Sequence, residues 1–86
     1  MNTSFLLMAQ YDGLAVIPID RVRRDYFAHL NEREFVRKLS RGDIPLPMVR
    51  MDASQKTAKG VHLVDLATYL DKRREAAAKE LAAMTG

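Results

Sequence analysis

Three arginines spaced four apart, Arg33, Arg37 and Arg41, are the residues of this chain best suited to do chemistry. A guanidinium presents a planar fork of donors, the geometry that grips phosphate oxygens or the acceptor edge of guanine with paired hydrogen bonds. At about 100° per residue, an i, i+4, i+8 row runs along one side of a helix, here nearly opposite Phe35, Val36 and Leu39. Lys38 adds a fourth cation to the same segment. On an isolated helix such a row is by default a solvated face. What surrounds the helix turns the reading toward nucleic acid.

The row needs a helix with fixed ends, and the stretch from Asn31 to Gly42 supplies both. Asn31 can accept from a backbone N–H at the start, and Glu34, three residues on, can reach back to complete a capping box. Leu30 before the cap and Phe35 in the first turn have the spacing of a hydrophobic staple. Gly42 supplies the left-handed residue that ends many helices. A shorter helix is expected just before, from Ile19 to about Phe27. Asp20 sits in its first turn, and Ile19, Val22 and Tyr26 share one face with Arg21 and Arg24 off it. The link Ala28-His29-Leu30 is short enough to make the two helices a helix-turn-helix pair.

Beyond Gly42, Ile44-Pro45-Leu46-Pro47 reads as extended and edge-like, because two prolines remove ladder donors. Met48 to Met51 alternates as a strand, and Val61-His62-Leu63-Val64 returns as a second. The tip between them, Asp52 to Gly60, is small, polar and basic, with Ser54, Gln55, Lys56 and Lys59. These residues and the closing glycine suit a loop that approaches a phosphate backbone; an ordinary solvated hairpin tip is the alternative. Arg50, near the strand end, could contact DNA or pair with Asp52. Helix, turn, helix and cationic hairpin together predict a winged helix-turn-helix. Its second helix would enter the major groove and its tip would touch the adjacent backbone. Arg33 and Arg37, near the helix start, are then the candidates for base contacts, and Lys56 and Lys59 for phosphates.

The flanks complete a mainly α chain with a small β-hairpin. A first helix is expected over Ser4–Tyr11, with Phe5, Met8 and Ala9 at helical spacing; Asp12-Gly13 turns the chain, and Ala15 to Pro18 forms a short bridging strand. A long C-terminal helix is expected over 64–83, with a stripe of Leu66, Tyr69, Leu70, Ala77, Leu81 and Met84. Glu75 and Lys79 lie on its solvated side as a favourable i, i+4 pair. The end of this helix outruns a domain of this size, so a homo-oligomer formed through it is expected, with a frayed terminus as the alternative.

At 86 residues the chain is one domain, 1–86, near the size where a single core only just suffices. The net charge of +3 is unevenly spread. From Arg21 to Lys59 there are ten Lys/Arg against five acids, while the remainder has four against six, so the basic half is the polyanion-binding candidate. With no cysteine and two distant histidines, His29 and His62, no disulfide and no metal site or other cofactor is expected. No apolar run approaches the ~20 residues of a membrane span, and a soluble cytoplasmic protein is the default expectation.

Several segments also resemble the pyocin activator protein (PrtN-like) family. They are Phe5-Leu6-Leu7-Met8-Ala9-Gln10-Tyr11-Asp12-Gly13, Ala15-Val16-Ile17-Pro18, Arg24-Asp25-Tyr26-Phe27, Leu46-Pro47, Val49-Arg50, Ala53-Ser54-Gln55-Lys56 and Lys59-Gly60-Val61-His62-Leu63. The resemblance spans Asn2 to about Arg74. It implies a bacterial transcriptional activator that binds double-stranded DNA upstream of phage-tail-like bacteriocin genes and is released from repression after DNA damage. RNA polymerase enters as a further partner by the same implication. Two other readings stand beside it: an excisionase-like architectural protein that bends DNA, and a protein-interaction module working through its C-terminal helix. An enzyme is not expected, since no nucleophile, base and orienting group fall together.

Overall fold

The computed structural model describes residues 2–85. Its elements run α1 (Thr3–Gln10), β1 (Val16–Pro18), α2 (Ile19–Tyr26), α3 (Glu32–Arg41), β2 (Val49–Arg50), β3 (Lys59–His62) and α4 (Leu63–Thr85). The chain is mainly helical, with a three-stranded antiparallel sheet in the order β1-β3-β2. The expected hairpin is therefore joined by β1, which pairs Val16 with His62, Ile17 with Val61 and Pro18 with Gly60. On its other edge β3 pairs Gly60 with Val49 and Lys59 with Arg50.

The core lies where the two-residue period of the strands meets the helical faces. Leu7 and Tyr11 come from the first helix and the residue after it, Ile17 and Val61 from the sheet, and Ile19 and Val22 from α2. Phe35 and Leu39 come from α3, and Leu63, Leu66 and Ala67 from α4. Between α3 and β2, Ile44 and Leu46 are buried while Pro45 and Pro47 face out, so this stretch alternates like a strand without joining the ladder.

Local signals account for most boundaries. Asn2 caps α1, accepting from the Ser4 N–H at 2.7 Å. Asp12 and Gly13, both at positive φ, reverse the chain after it. β3 runs straight into α4, because His62 ends the strand and its Nδ1 accepts from the Val64 N–H at 3.1 Å. The second strand expected over Val61–Val64 is thus Lys59–His62, and helix begins at Leu63 rather than Val64.

Two sequence expectations need correcting, the inward face of α1 and the Glu75–Lys79 pair, while the end of α4 outruns the domain as expected. On α1 the inward residues are Leu7 and, one turn on, Tyr11, whereas Phe5 is 63 % and Met8 44 % exposed. The reason lies in the partner surface. Tyr11 is fully buried, and its hydroxyl donates to the Asp25 carboxylate of α2 at 2.5 Å, which fixes which side of α1 faces inward. On α4 the stripe is buried only as far as the domain reaches. Leu66 and Ala67 are in the core and Tyr69 and Leu70 pack against it, but Leu81 and Met84 are 58 % and 77 % exposed. At 23 residues α4 is about 34 Å long, and the molecule accordingly measures 50 × 27 × 19 Å. Glu75 and Lys79, spaced as an ion pair, form none among the described residues.

Candidate nucleic-acid interface

The capped helix forms as its sequence dictates. The Asn31 side chain accepts from the Glu34 N–H at 2.8 Å, and the Glu34 carboxylate accepts from the Asn31 N–H at 3.4 Å. Leu30 and Phe35 are both buried, closing the staple, and Phe35 stacks on Phe27 with ring centroids 4.7 Å apart. At the other end Gly42 adopts φ 76°, and the Asp43 N–H donates to the Lys38 carbonyl at 3.0 Å. Both ends of α3 are held by bonds internal to the segment.

With Phe35 and Leu39 turned inward, Arg33, Arg37 and Arg41 are all exposed and Lys38 is half-buried. Arg33 and Arg37 have no ion-pair partner among the described residues, and Arg41 has only a loose contact with Asp43 at 3.9 Å. By contrast the arginines of α2 are engaged. Arg23 bonds Asp20 at 3.0 Å and donates to the Leu30 carbonyl at 3.1 Å; Arg24 pairs with Asp20 at 3.3 Å; Arg21 lies 4.9 Å over the Tyr11 ring. The cations left unoccupied on the helix pair are thus those of α3.

The β2–β3 tip is built by a local network. Asp52 accepts from the Ser54 N–H at 2.7 Å, and its own N–H donates to the Thr57 hydroxyl at 2.9 Å. Those bonds to Ser54 hold the Asp52 carboxyl below the usual carboxylate range. Asp52 is occupied in this way, and no ion pair to Arg50 forms among the described residues; Arg50 stands exposed on the edge strand. Thr57 is buried beneath the tip. Ser54, Gln55 and Lys56 are exposed at its crown.

Lys59 does not project as expected. It is half-buried, and its ammonium donates back to the Gln55 and Thr57 carbonyls at 3.3 and 3.4 Å. Gly60, read as a means of close approach to a phosphate, is buried inside the sheet. A Cβ there would lie 2.6 Å from the Ile17 carbonyl oxygen and 2.6 Å from Val16 Cγ1. The glycine allows strands to approach, not a ligand. The structure gathers Ser54, Gln55, Lys56 and Lys59 on one tip and Arg33, Arg37, Lys38 and Arg41 on one helix.

Sequence reasoning missed the brace behind the helix pair. The Tyr11 hydroxyl and the Gln10 amide converge on Asp25, and the Tyr26 hydroxyl donates to Gln10 Oε1 at 2.8 Å. Burial, with the adjacent Asp25 carboxylate, raises the Tyr11 hydroxyl well above its ordinary pKa. The signal was present as Gln10-Tyr11 and Asp25-Tyr26, but only the packing of α1 on α2 brings the pairs together.

Over residues 3–77 the sequence matches the family model described as pyocin activator protein PrtN. The chain matches no curated protein and no solved structure.

Proposed function

From the premise that this chain belongs to the pyocin activator protein PrtN family, we propose that it is a sequence-specific DNA-binding activator of transcription that reads a promoter element through α3. The observation that carries the reading is the exposed, largely unpaired row Arg33, Arg37 and Arg41 on a helix fixed at both ends. From first to last the row spans about 12 Å along the axis, comparable to the ~12 Å width of the DNA major groove. The path α2, turn, α3, β2, β3 supports a winged helix-turn-helix. In that arrangement Ser54, Gln55 and Lys56 meet phosphates beside the groove while α3 meets base edges. Lys59 shapes the tip that does so, and Arg50 on the edge strand adds to the same field. The protein acts in the bacterial cytoplasm, on the nucleoid, with RNA polymerase as its eventual partner.

The test is DNase footprinting on DNA upstream of the neighbouring bacteriocin or prophage genes, with the intact protein and an Arg37→Glu variant. Arg37 makes no hydrogen bond or ion pair to another described side chain, so its reversal leaves the fold unchanged by circular dichroism while abolishing protection. An unchanged footprint would remove α3 from the interface. Transcription in vitro from the protected fragment separates an activator from a DNA-bending architectural protein, since both would protect it.

A further inference from the structure

The far half of α4 leaves the domain with its sequence still patterned for contact. Successive residues turn about 100°, so Ala77, Leu81 and Met84 continue the face that Leu66 and Leu70 bury against the core. Leu81 and Met84 nevertheless remain more than half exposed. Beside this face, about 40° and 60° to the same side of Ala77, stand Arg73 and Glu80. They are opposite charges seven residues apart, and neither has an ion-pair partner among the described residues.

We infer that this face pairs with the same face of a second copy, the two α4 helices running antiparallel about a two-fold axis beside Ala76 and Ala77. Charge pattern selects that arrangement. In an antiparallel pair, residues on the same flank of the two helices face each other. An axis between Ala76 and Ala77 then sets Arg73 of each copy against Glu80 of the other, twice over. A parallel pair would instead bring opposite flanks together and leave Arg73 and Glu80 of the two copies on opposite sides of the seam, out of each other's reach. The same register brings Met84 of one copy to the half-exposed Tyr69 and Leu70 of the other, so each tip covers the apolar edge of its partner's core. The contact is isologous and closes on itself, as a two-fold interface must.

Size sets the strength. The strip from Leu70 to Met84 is about 22 Å long and about 10 Å wide, well short of the ~800 Å² per partner of a standard interface. The dimer is therefore weak, with a dissociation constant on the order of tens of micromolar.

The charge swap is the decisive experiment. By sedimentation equilibrium, Arg73→Glu alone and Glu80→Arg alone should each weaken dimerisation about tenfold, because two exposed attractions become two repulsions. The double variant Arg73→Glu/Glu80→Arg should restore it. In a parallel pair Arg73 and Glu80 do not meet across the seam, so single variants that fail to weaken dimerisation overturn the antiparallel geometry. A strict monomer at several hundred micromolar, roughly tenfold above the expected constant, overturns the pairing itself. The chain has no cysteine, which gives an independent readout. Ala77→Cys should oxidise readily to a disulfide dimer, while Lys79→Cys, on the opposite side of α4, should not. Equal rates for the two would count against the assigned face.

Discussion

Replacing Gly60 by alanine should weaken the fold and spare the proposed DNA-binding surface. Gly60 sits in the central strand, opposite Pro18 on one edge and Val49 on the other. The added methyl would stand 2.6 Å from the Ile17 oxygen and from Val16 Cγ1, against about 3.5 Å for an ordinary contact, so the overlap is about 1 Å on each side. The Val16 side chain can rotate aside. The Ile17 carbonyl is backbone, and moving it shifts β1 against its register with His62 and Val61. Forced overpacking of this kind costs about 1–3 kcal/mol. Alanine also restricts the unfolded chain, offsetting about 0.4–1 kcal/mol. The net loss is about 1–2 kcal/mol, a fall in Tm of about 5–15 °C for a domain of this length. Thermal unfolding followed by circular dichroism reads this directly. DNA affinity measured well below the lowered Tm should match the parent protein. A variant with unchanged Tm and at least tenfold weaker binding would refute the packing argument and return Gly60 to the phosphate contact.

The other expectations concern charge. DNA affinity should fall steeply with salt, each phosphate-bound cation contributing about −0.9 to the log–log slope; a slope near zero would exclude the basic half as the interface. Arg33→Ala or Arg37→Ala should cost about 1–3 kcal/mol and relax preference at one base pair, whereas Lys56→Ala should weaken all sequences alike. A selection experiment with randomised sites distinguishes the two. Since the folded state holds the Tyr11 proton more tightly than the unfolded chain, stability should be level below pH 10 and decline as pH rises through and beyond it. Tyr11→Phe should flatten that alkaline limb and, by losing the bond to Asp25, cost about 1 kcal/mol at neutral pH; urea titrations at several pH values check both.

What could be read from the sequence was whatever a segment decides for itself. The Asn31–Glu34 box, the Leu30–Phe35 staple and the Gly42 stop are interactions within a dozen residues, so α3 was legible almost to the residue. The start of α2 at Ile19, directly after Pro18, was legible for the same reason. Features depending on distant partners were not. Phe5, Met8 and Ala9 are as well spaced as Leu7 and Tyr11, and only the burial of Tyr11 against α2 decides between them. The role of Lys59 was hidden likewise, because a lysine in a hairpin tip reads as a free cation until the tip's carbonyls turn toward it. Gly60 shows the strongest form of the effect. A glycine beside a polar loop has two physical uses, and the neighbouring strand that decides between them comes from residues some forty positions earlier.

The candidate site depends on that distant packing even though its cations lie on one autonomous helix. Reading a base edge requires a guanidinium to be held to within about 0.5 Å, which a helix free to rock on its turn does not achieve. Here the turn is restrained from both sides. Phe27 stacks on Phe35 and lies 5.8 Å from Tyr69 of α4, while Arg23 holds the Leu30 carbonyl one residue before the cap. Arg23 is aimed by Asp20, and α2 is itself tied to α1 through Asp25, Tyr11, Gln10 and Tyr26. Arg23 is thus occupied within the fold, while Arg33 and Arg37 stay exposed. The division follows from geometry: Arg23 and Arg24 on the inner helix of the pair find a carboxylate or carbonyl within reach, Arg33 and Arg37 on α3 find none among the described residues, and Arg41 has only the loose contact with Asp43. The basic half of the sequence contains ten Lys/Arg; the arginines of α2 are held by Asp20, the Leu30 carbonyl and the Tyr11 ring, while Arg33 and Arg37 of α3 have no ion-pair partner among the described residues.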